Sequence, residues 1–274
     1  MLALPSILAF GRPEVTGVVL LFGFILLTAF VQAGRRPLVP LFAIWGIALL
    51  NPALVRELAL GSDLFWGPLL VSAGAVLLAR GHVIAGGLVF ALGLATRLSM
   101  VPLLPLWVVA VYMLNGRRQA MAFAATALGA LLLMHLPVAV WDPSTYFGYA
   151  PLGISAEKVS QQLPEGDNLM ADLMAFVLPE GPARPMIVSA LMAAGGVLLG
   201  LLTRSLPHLL LLSSALLMAS LFFVGSYFLL DYLVVCIFPA CFAVLLENDG
   251  ESPLQGARES NARGPAGHDA GISA

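Results

Sequence analysis

The stretch from Gly61 to Trp107, GSDLFWGPLLVSAGAVLLARGHVIAGGLVFALGLATRLSMVPLLPLW, constrains the fold of this chain more than any other. Its apolar residues follow one another without alternation, so it does not read as the strands of a barrel, whose side chains alternate between lipid and lumen. It reads as two hydrophobic helices joined by a tight basic turn at Arg80-Gly81-His82, with Asp63 at the entrance of the first and Arg97 at the exit of the second. A proline-containing third run starts at once from Met100. The rest of the chain agrees with this unit. Hydrophobic residues make up 60% and charged residues 10%, and mean hydropathy is +0.96, whereas a soluble domain carries roughly 25% charged residues. The chain is therefore expected to be an all-α, multi-pass transmembrane helical bundle.

A crossing of a hydrocarbon core ~30 Å thick takes about 20 residues, which leaves room for about nine spans. The runs that qualify are Val15 to Ala33, Leu38 to Leu50, Leu64 to Ala79, Val83 to Ala95, Met100 to Leu114, Met121 to Val140, Met186 to Leu202, Leu209 to Phe223 and Tyr227 to Leu246. Residues 1–246 form the transmembrane domain, interrupted by one long polar, proline-rich loop over 141–185. Within that loop Asp167-Asn168 can cap a short apolar helix, Leu169 to Leu178, too short to span and suited to the membrane surface. Met1 to Phe10 has no basic flank and too short an apolar core for a signal peptide. The tail, 247–274, has little to bury and is expected to be disordered. Cys236 and Cys241 lie five apart on one run and point in different directions, so both are read as reduced packing residues. The four histidines are scattered without metal-ligand spacing, and neither a metal nor a cofactor is expected.

Orientation follows from basic residues in short loops. Arg35 and Arg36, Arg80, Arg117 and Arg118, and Arg204 occupy every second connection, while Glu14, Glu57, Asp63, Asp142, Glu157, Glu165, Asp167, Asp172 and Glu180 lie in the others. The basic connections and the tail should face the cytoplasm, with the N-terminus and the long loop outside. A net charge of −2 says little about partners beyond the lipid bilayer itself, and no nucleic-acid partner is expected. With no soluble domain to carry chemistry, any site must lie at the outer face, where Asp63, Arg97 and the long loop converge.

Arg97 interrupts LGLATRLSMVPLLP, where a charge is costly. It either snorkels to the outer headgroups or holds a phosphate, which its planar fork of donors matches. Pro102 and Pro105 beyond it would keep the backbone irregular. Asp63 either caps the helix that follows or presents a carboxylate that acts as a base or orients a sugar hydroxyl; the two roles are compatible. Asp231, in SYFLLDYL, is an acid within an apolar segment and so a pocket candidate, though its nearness to a turn also permits a wet structural place. Trp141, Asp142, Tyr146 and Tyr149 open the long loop, where aromatics form the interfacial belt or stack on a sugar. Gly196 and Gly200, four apart, fit close helix packing.

Asp63, the turn Arg80-Gly81-His82, Gly86-Gly87, and Ala95-Thr96-Arg97 before Pro102 resemble the core of GT-C-type integral membrane glycosyltransferases, in particular the bacterial group that uses polyprenyl-phosphate-linked sugars, mannosyltransferases among them. The likeness is a hydropathy pattern with a few fixed polar residues, and it covers 47 of 274 residues well. It implies an enzyme of the bacterial inner membrane that takes a sugar from a polyprenyl-phosphate donor and passes it to an acceptor beneath the long loop. Arg97 would bind the lipid phosphate, and Asp63 would line the pocket beside Asp142, Tyr146 and Asp231. Members of the group carry their principal catalytic aspartate in the first outward loop, after a first helix. This sequence opens outside with only Glu14 there, so it is expected to be the C-terminal portion of such an enzyme, with an odd number of helices and that acid upstream. The catalytic residue within this chain is then unknown, with Asp63 the candidate. Two other classes compete: a multi-pass transporter or flippase with Arg97 and Asp231 along its path, and a non-catalytic subunit beside a partner chain in the membrane.

Overall fold

The computed structural model of the chain describes residues 14–33, 39–50, 66–96, 100–141, 184–224 and 230–247. Among them there are nine helices and no strand: α1 Glu14–Gln32, α2 Val39–Leu50, α3 Trp66–Ala79, α4 Val83–Thr96, α5 Leu103–Asn115, α6 Arg117–Trp141, α7 Arg184–Leu201, α8 Leu206–Val224 and α9 Leu230–Glu247. The short surface helix expected at Leu169 to Leu178, the tail and the first ten residues lie outside the described residues. One helix, α6 with 25 residues, is long and apolar enough to cross a membrane by length and composition; seven of the others carry apolar stretches of 10–17 residues.

The best-defined unit is the α3–α4 hairpin. Its turn closes as a Schellman motif: His82 N–H donates to Leu77 O at 2.9 Å and Gly81 N–H to Leu78 O at 2.9 Å. Gly81 sits at φ +81°, a conformation that costs a residue with a Cβ roughly 1–2 kcal/mol. Small residues then let the two backbones touch along their length. A Cβ on Gly74 would meet Gly86 O at 3.1 Å, a Cβ on Gly86 would meet Gly74 O at 3.1 Å, and a Cβ on Gly93 would meet Gly67 O at 2.9 Å. This fixes an antiparallel register in which 74 faces 86 and 67 faces 93.

The α5–α6 connection is the single residue Gly116, at φ +84°, which closes α5 through Tyr112 O and opens α6 by accepting from Ala120 N–H. The core forms where α4, α5, α6 and α8 meet. Trp107 stacks on Phe90 at 4.5 Å and on Phe123 at 6.1 Å between ring centroids, and all three are fully buried. Its indole N–H donates to Ser213 Oγ at 2.9 Å. The pair Gly196 and Gly200 seats α7 on α5 as the spacing predicts: a Cβ at 196 would meet Pro102 O at 2.8 Å and one at 200 would meet Val109 Cβ at 2.7 Å.

Pro102 and Pro105 behave differently from each other. Among the described residues the irregular backbone here is Met100–Pro102, and α5 runs regularly from Leu103 with Pro105 inside it. The reason is position: Pro105 is the third helical residue, where an N–H has no intrahelical acceptor and its loss costs nothing.

Helices α1 and α2 lie against α3 and α9 at the side of the bundle. Phe24 meets Phe238 and Phe242 edge-on at 5.0 and 6.1 Å, and Trp45 of α2 donates to Thr28 Oγ1 of α1 at 2.9 Å. Arg80 ties the end of α1 to the α3–α4 turn, with its guanidinium 3.7 Å from the Phe30 ring centroid and Nη2 3.4 Å from Phe30 O. Cys236 and Cys241 form no disulfide; Cys236 is buried and Cys241 half-buried.

Candidate functional site

The described interior contains no fixed charge. Its buried polar side chains are Thr28, Gln32, Ser72, Thr203, Ser213 and Ser220, whereas Arg80, Arg117, Arg118, Arg204 and Glu247 are exposed. Several of the hydroxyls donate back to a carbonyl one turn earlier, Thr28 to Phe24 O at 2.8 Å, Ser72 to Pro68 O at 2.8 Å and Ser213 to Leu209 O at 2.8 Å. That satisfies the donor within the helix. Among the described residues, no three His, Cys, Asp or Glu side chains gather to hold a metal ion. The described core is thus built of apolar side chains and self-satisfied hydroxyls.

One end of the α3–α4 hairpin is closed especially tightly. Gly67 leaves no room for a side chain: a Cβ there would overlap Met100 Sδ and Thr96 Oγ1 and would lie 3.1 Å from Gly93 O. The start of α3, the end of α4 and the turn into α5 therefore meet at one point. Thr96 Oγ1 donates to Gly93 O at 2.7 Å and lies 3.7 Å from Met100 Sδ, itself buried. The local sequence accounts for this. Gly67 and Gly93 give the close approach, and Met100, unbranched and adaptable, fills the gap beneath it.

Of the residues the sequence singles out, Asp63, Arg97, Asp142 and Tyr146 lie outside the described residues, and so do Tyr149 and the long loop. Asp231 is the second residue of α9; its side chain is likewise outside the description. The expected convergence of these side chains therefore also lies outside the described residues. The described structure does bring together the segments next to two of them, since Trp66 follows Asp63 by three residues and Thr96 is bonded to Arg97.

Trp66 is the residue that sequence reasoning passed over. It opens α3, and its indole Nε1 is buried with no hydrogen-bond partner. The signal was present in GSDLFWGP, where an aromatic with one polar atom sits among the residues already marked for a site. A burial pattern, not a motif, was needed to single it out. No protein-family model matches the chain, and neither a curated protein nor a solved structure matches it.

Proposed function

We propose that the chain is a multi-pass membrane glycosyltransferase-like protein that takes a sugar from a polyprenyl-phosphate donor and transfers it to an acceptor at the outer face of a bacterial inner membrane. Arg97 binds the lipid phosphate, and Asp63 lines the pocket into which the sugar projects. The membrane part of this reading is supported by what the helices expose. Val18, Phe22, Leu26 and Phe30 form one exposed stripe of α1, and Leu128, Leu132, Leu133, Leu136 and Val140 cover the far half of α6. Soluble proteins rarely leave contiguous apolar surface on this scale, and a bilayer covers it at no cost.

The observation that carries the functional part is the closure at Gly67. Because α3 begins against Thr96 and Met100, the residues just before α3 and just after α4 leave from the same place. Covalent geometry sets Arg97 Cα ~3.8 Å from Thr96 Cα and Asp63 within roughly 11 Å of Trp66. This supports a reading in which a cation for the phosphate and a carboxylate for the sugar serve one donor with a charged head and a neutral sugar.

The test uses the full chain in nanodiscs of phosphatidylcholine, titrated with labelled decaprenyl-phosphate mannose and then supplied with a membrane extract as acceptor. Binding of the donor, loss of about tenfold or more in affinity in Arg97→Gln, and movement of label to the extract are expected. A wild-type chain that binds the donor no better than phosphatidylglycerol rules the proposal out.

A further inference from the structure

The chain has four tryptophans. Trp141 is 91% exposed, and the other three lie largely within the bundle. Two of these have a hydroxyl waiting for the indole N–H: Thr28 Oγ1 for Trp45 and Ser213 Oγ for Trp107, each at 2.9 Å. The third, Trp66, has its Nε1 closed off from solvent and no acceptor. A buried donor left unmade loses its hydration and regains nothing, and a phenylalanine would fill nearly the same space without that loss.

Position gives the N–H a use. Trp66 stands one residue before Gly67, where the start of α3 closes on Thr96, the residue that precedes Arg97 in the chain. We propose that the Trp66 indole N–H is a ligand contact, donating to a phosphate oxygen of the lipid-linked donor. This rests on the function proposed above. A phosphate carries more acceptor sites than one guanidinium can satisfy, and the indole supplies a further donor on a rigid apolar plate suited to the edge of a bilayer. The orphaned atom is then the mark of a site built for an acceptor that arrives with the ligand.

The experiment compares the wild-type chain with Trp66→Phe in phosphatidylcholine nanodiscs, using decaprenyl phosphate as the probe, with inorganic phosphate and phosphatidic acid as separate arms. In the variant the affinity for decaprenyl phosphate is expected to fall about tenfold, while the ligand-free melting temperature stays level or rises. In the wild type, the indole ¹⁵N–¹H resonance that is missing from Trp66→Phe is expected to shift on adding decaprenyl phosphate and on neither other phosphate. Equal affinity of the two proteins with that resonance unmoved overturns the contact and leaves the proposed function standing. An equal response to phosphatidic acid or to inorganic phosphate overturns the assignment to the lipid-linked donor. If neither protein binds decaprenyl phosphate, the proposed function falls and the contact with it. If Trp66→Phe fails to fold, the resonance is identified as the one that survives in each of Trp45→Phe, Trp107→Phe and Trp141→Phe, and its response alone decides.

Discussion

Ser213 and Thr28 show what single residues do in a core with almost no polar atoms. Each hydroxyl accepts an indole N–H from another helix, Trp107 in one case and Trp45 in the other, and each also donates to its own helix one turn back. The hydroxyl therefore satisfies three groups at once, its own donor included. In Ser213→Ala the Trp107 N–H, fully buried against Phe90 and Phe123, loses the hydroxyl that accepts it. Double-mutant cycles in membrane bundles put one interhelical hydrogen bond at ~0.6 kcal/mol and an orphaned buried donor costs about 1–3 kcal/mol, so a loss of ~1–2 kcal/mol is expected. Equilibrium unfolding in mixed micelles measures it. Adding Trp107→Phe to Ser213→Ala should remove the hydrogen-bonding part of the penalty, because no donor is then left unpaired. A double variant in which the two losses simply add would show that the pair is mere packing. None of this was legible in the sequence. Helices that are apolar all round have no period that marks the inward side, so nothing in VSALMAAG or LLLLSSAL says which serine meets a tryptophan.

At the level of helices the sequence says more, because turns carry their own chemistry. Gly81 and Gly116 stand where the chain needs a positive φ, and basic residues beside them announce the ends of α3 and α5. As a result no described helix boundary departs from the expected run by more than four residues. What packs on what is only half legible. Gly196 and Gly200 were expected to seat a helix closely, and they do, but their partner α5 was not foreseeable, since close approach leaves no mark on the residues that receive it. The glycines also differ in a way that composition hides. In Gly200→Ala the new methyl meets Val109 Cβ at 2.7 Å and Leu106 O at 2.9 Å, whereas at Gly195 nothing lies within 4 Å. The first substitution should destabilise by ~1–3 kcal/mol through overpacking. The neighbouring Gly195→Ala should be neutral or gain ~0.5–1 kcal/mol, because alanine gives up less backbone freedom in a helix. Unfolding of the two variants side by side in the same micelles decides between a true seat for α7 and a merely glycine-rich helix, which would respond alike at both positions.

For the whole molecule, the membrane reading proposed above raises the question of how the bundle would stand in a bilayer, and the charges at its ends carry the argument. Arg80 reaches Phe30 near the end of α1, so the α3–α4 turn and the end of α1 share one side of the bundle. Gly87, four residues into α4, meets Phe123 and Thr126 near the start of α6, so α4 and α6 run parallel and Arg117 and Arg118 open α6 on the side where Arg80 and His82 open α4. The contacts of Gly196 and Gly200 with successively later residues of α5 make α7 parallel to α5, which carries Arg204 toward that same side. Among the described residues, the basic connections at Arg80, at Arg117 and Arg118, and at Arg204 thus share one end of the bundle, and on the proposed membrane reading that end faces the cytoplasm. On the orientation proposed above, the opposite ends of α3 and α4, next to which Asp63 and Arg97 stand in sequence, face outward, where the lipid-linked donor of the proposed reaction would present its sugar. The prediction is made with single cysteines at Gly81, Gly116 and Ser205 in a chain carrying Cys236→Ser and Cys241→Ser. In right-side-out vesicles all three should resist a membrane-impermeant maleimide, and in inverted vesicles all three should react. Cysteine placed at Ser62 should show the reverse pattern. Reaction of Ser62→Cys and Ser205→Cys from the same side would place the proposed site on the basic face, away from any donor in the outer leaflet, and the enzymatic reading would lose its geometry.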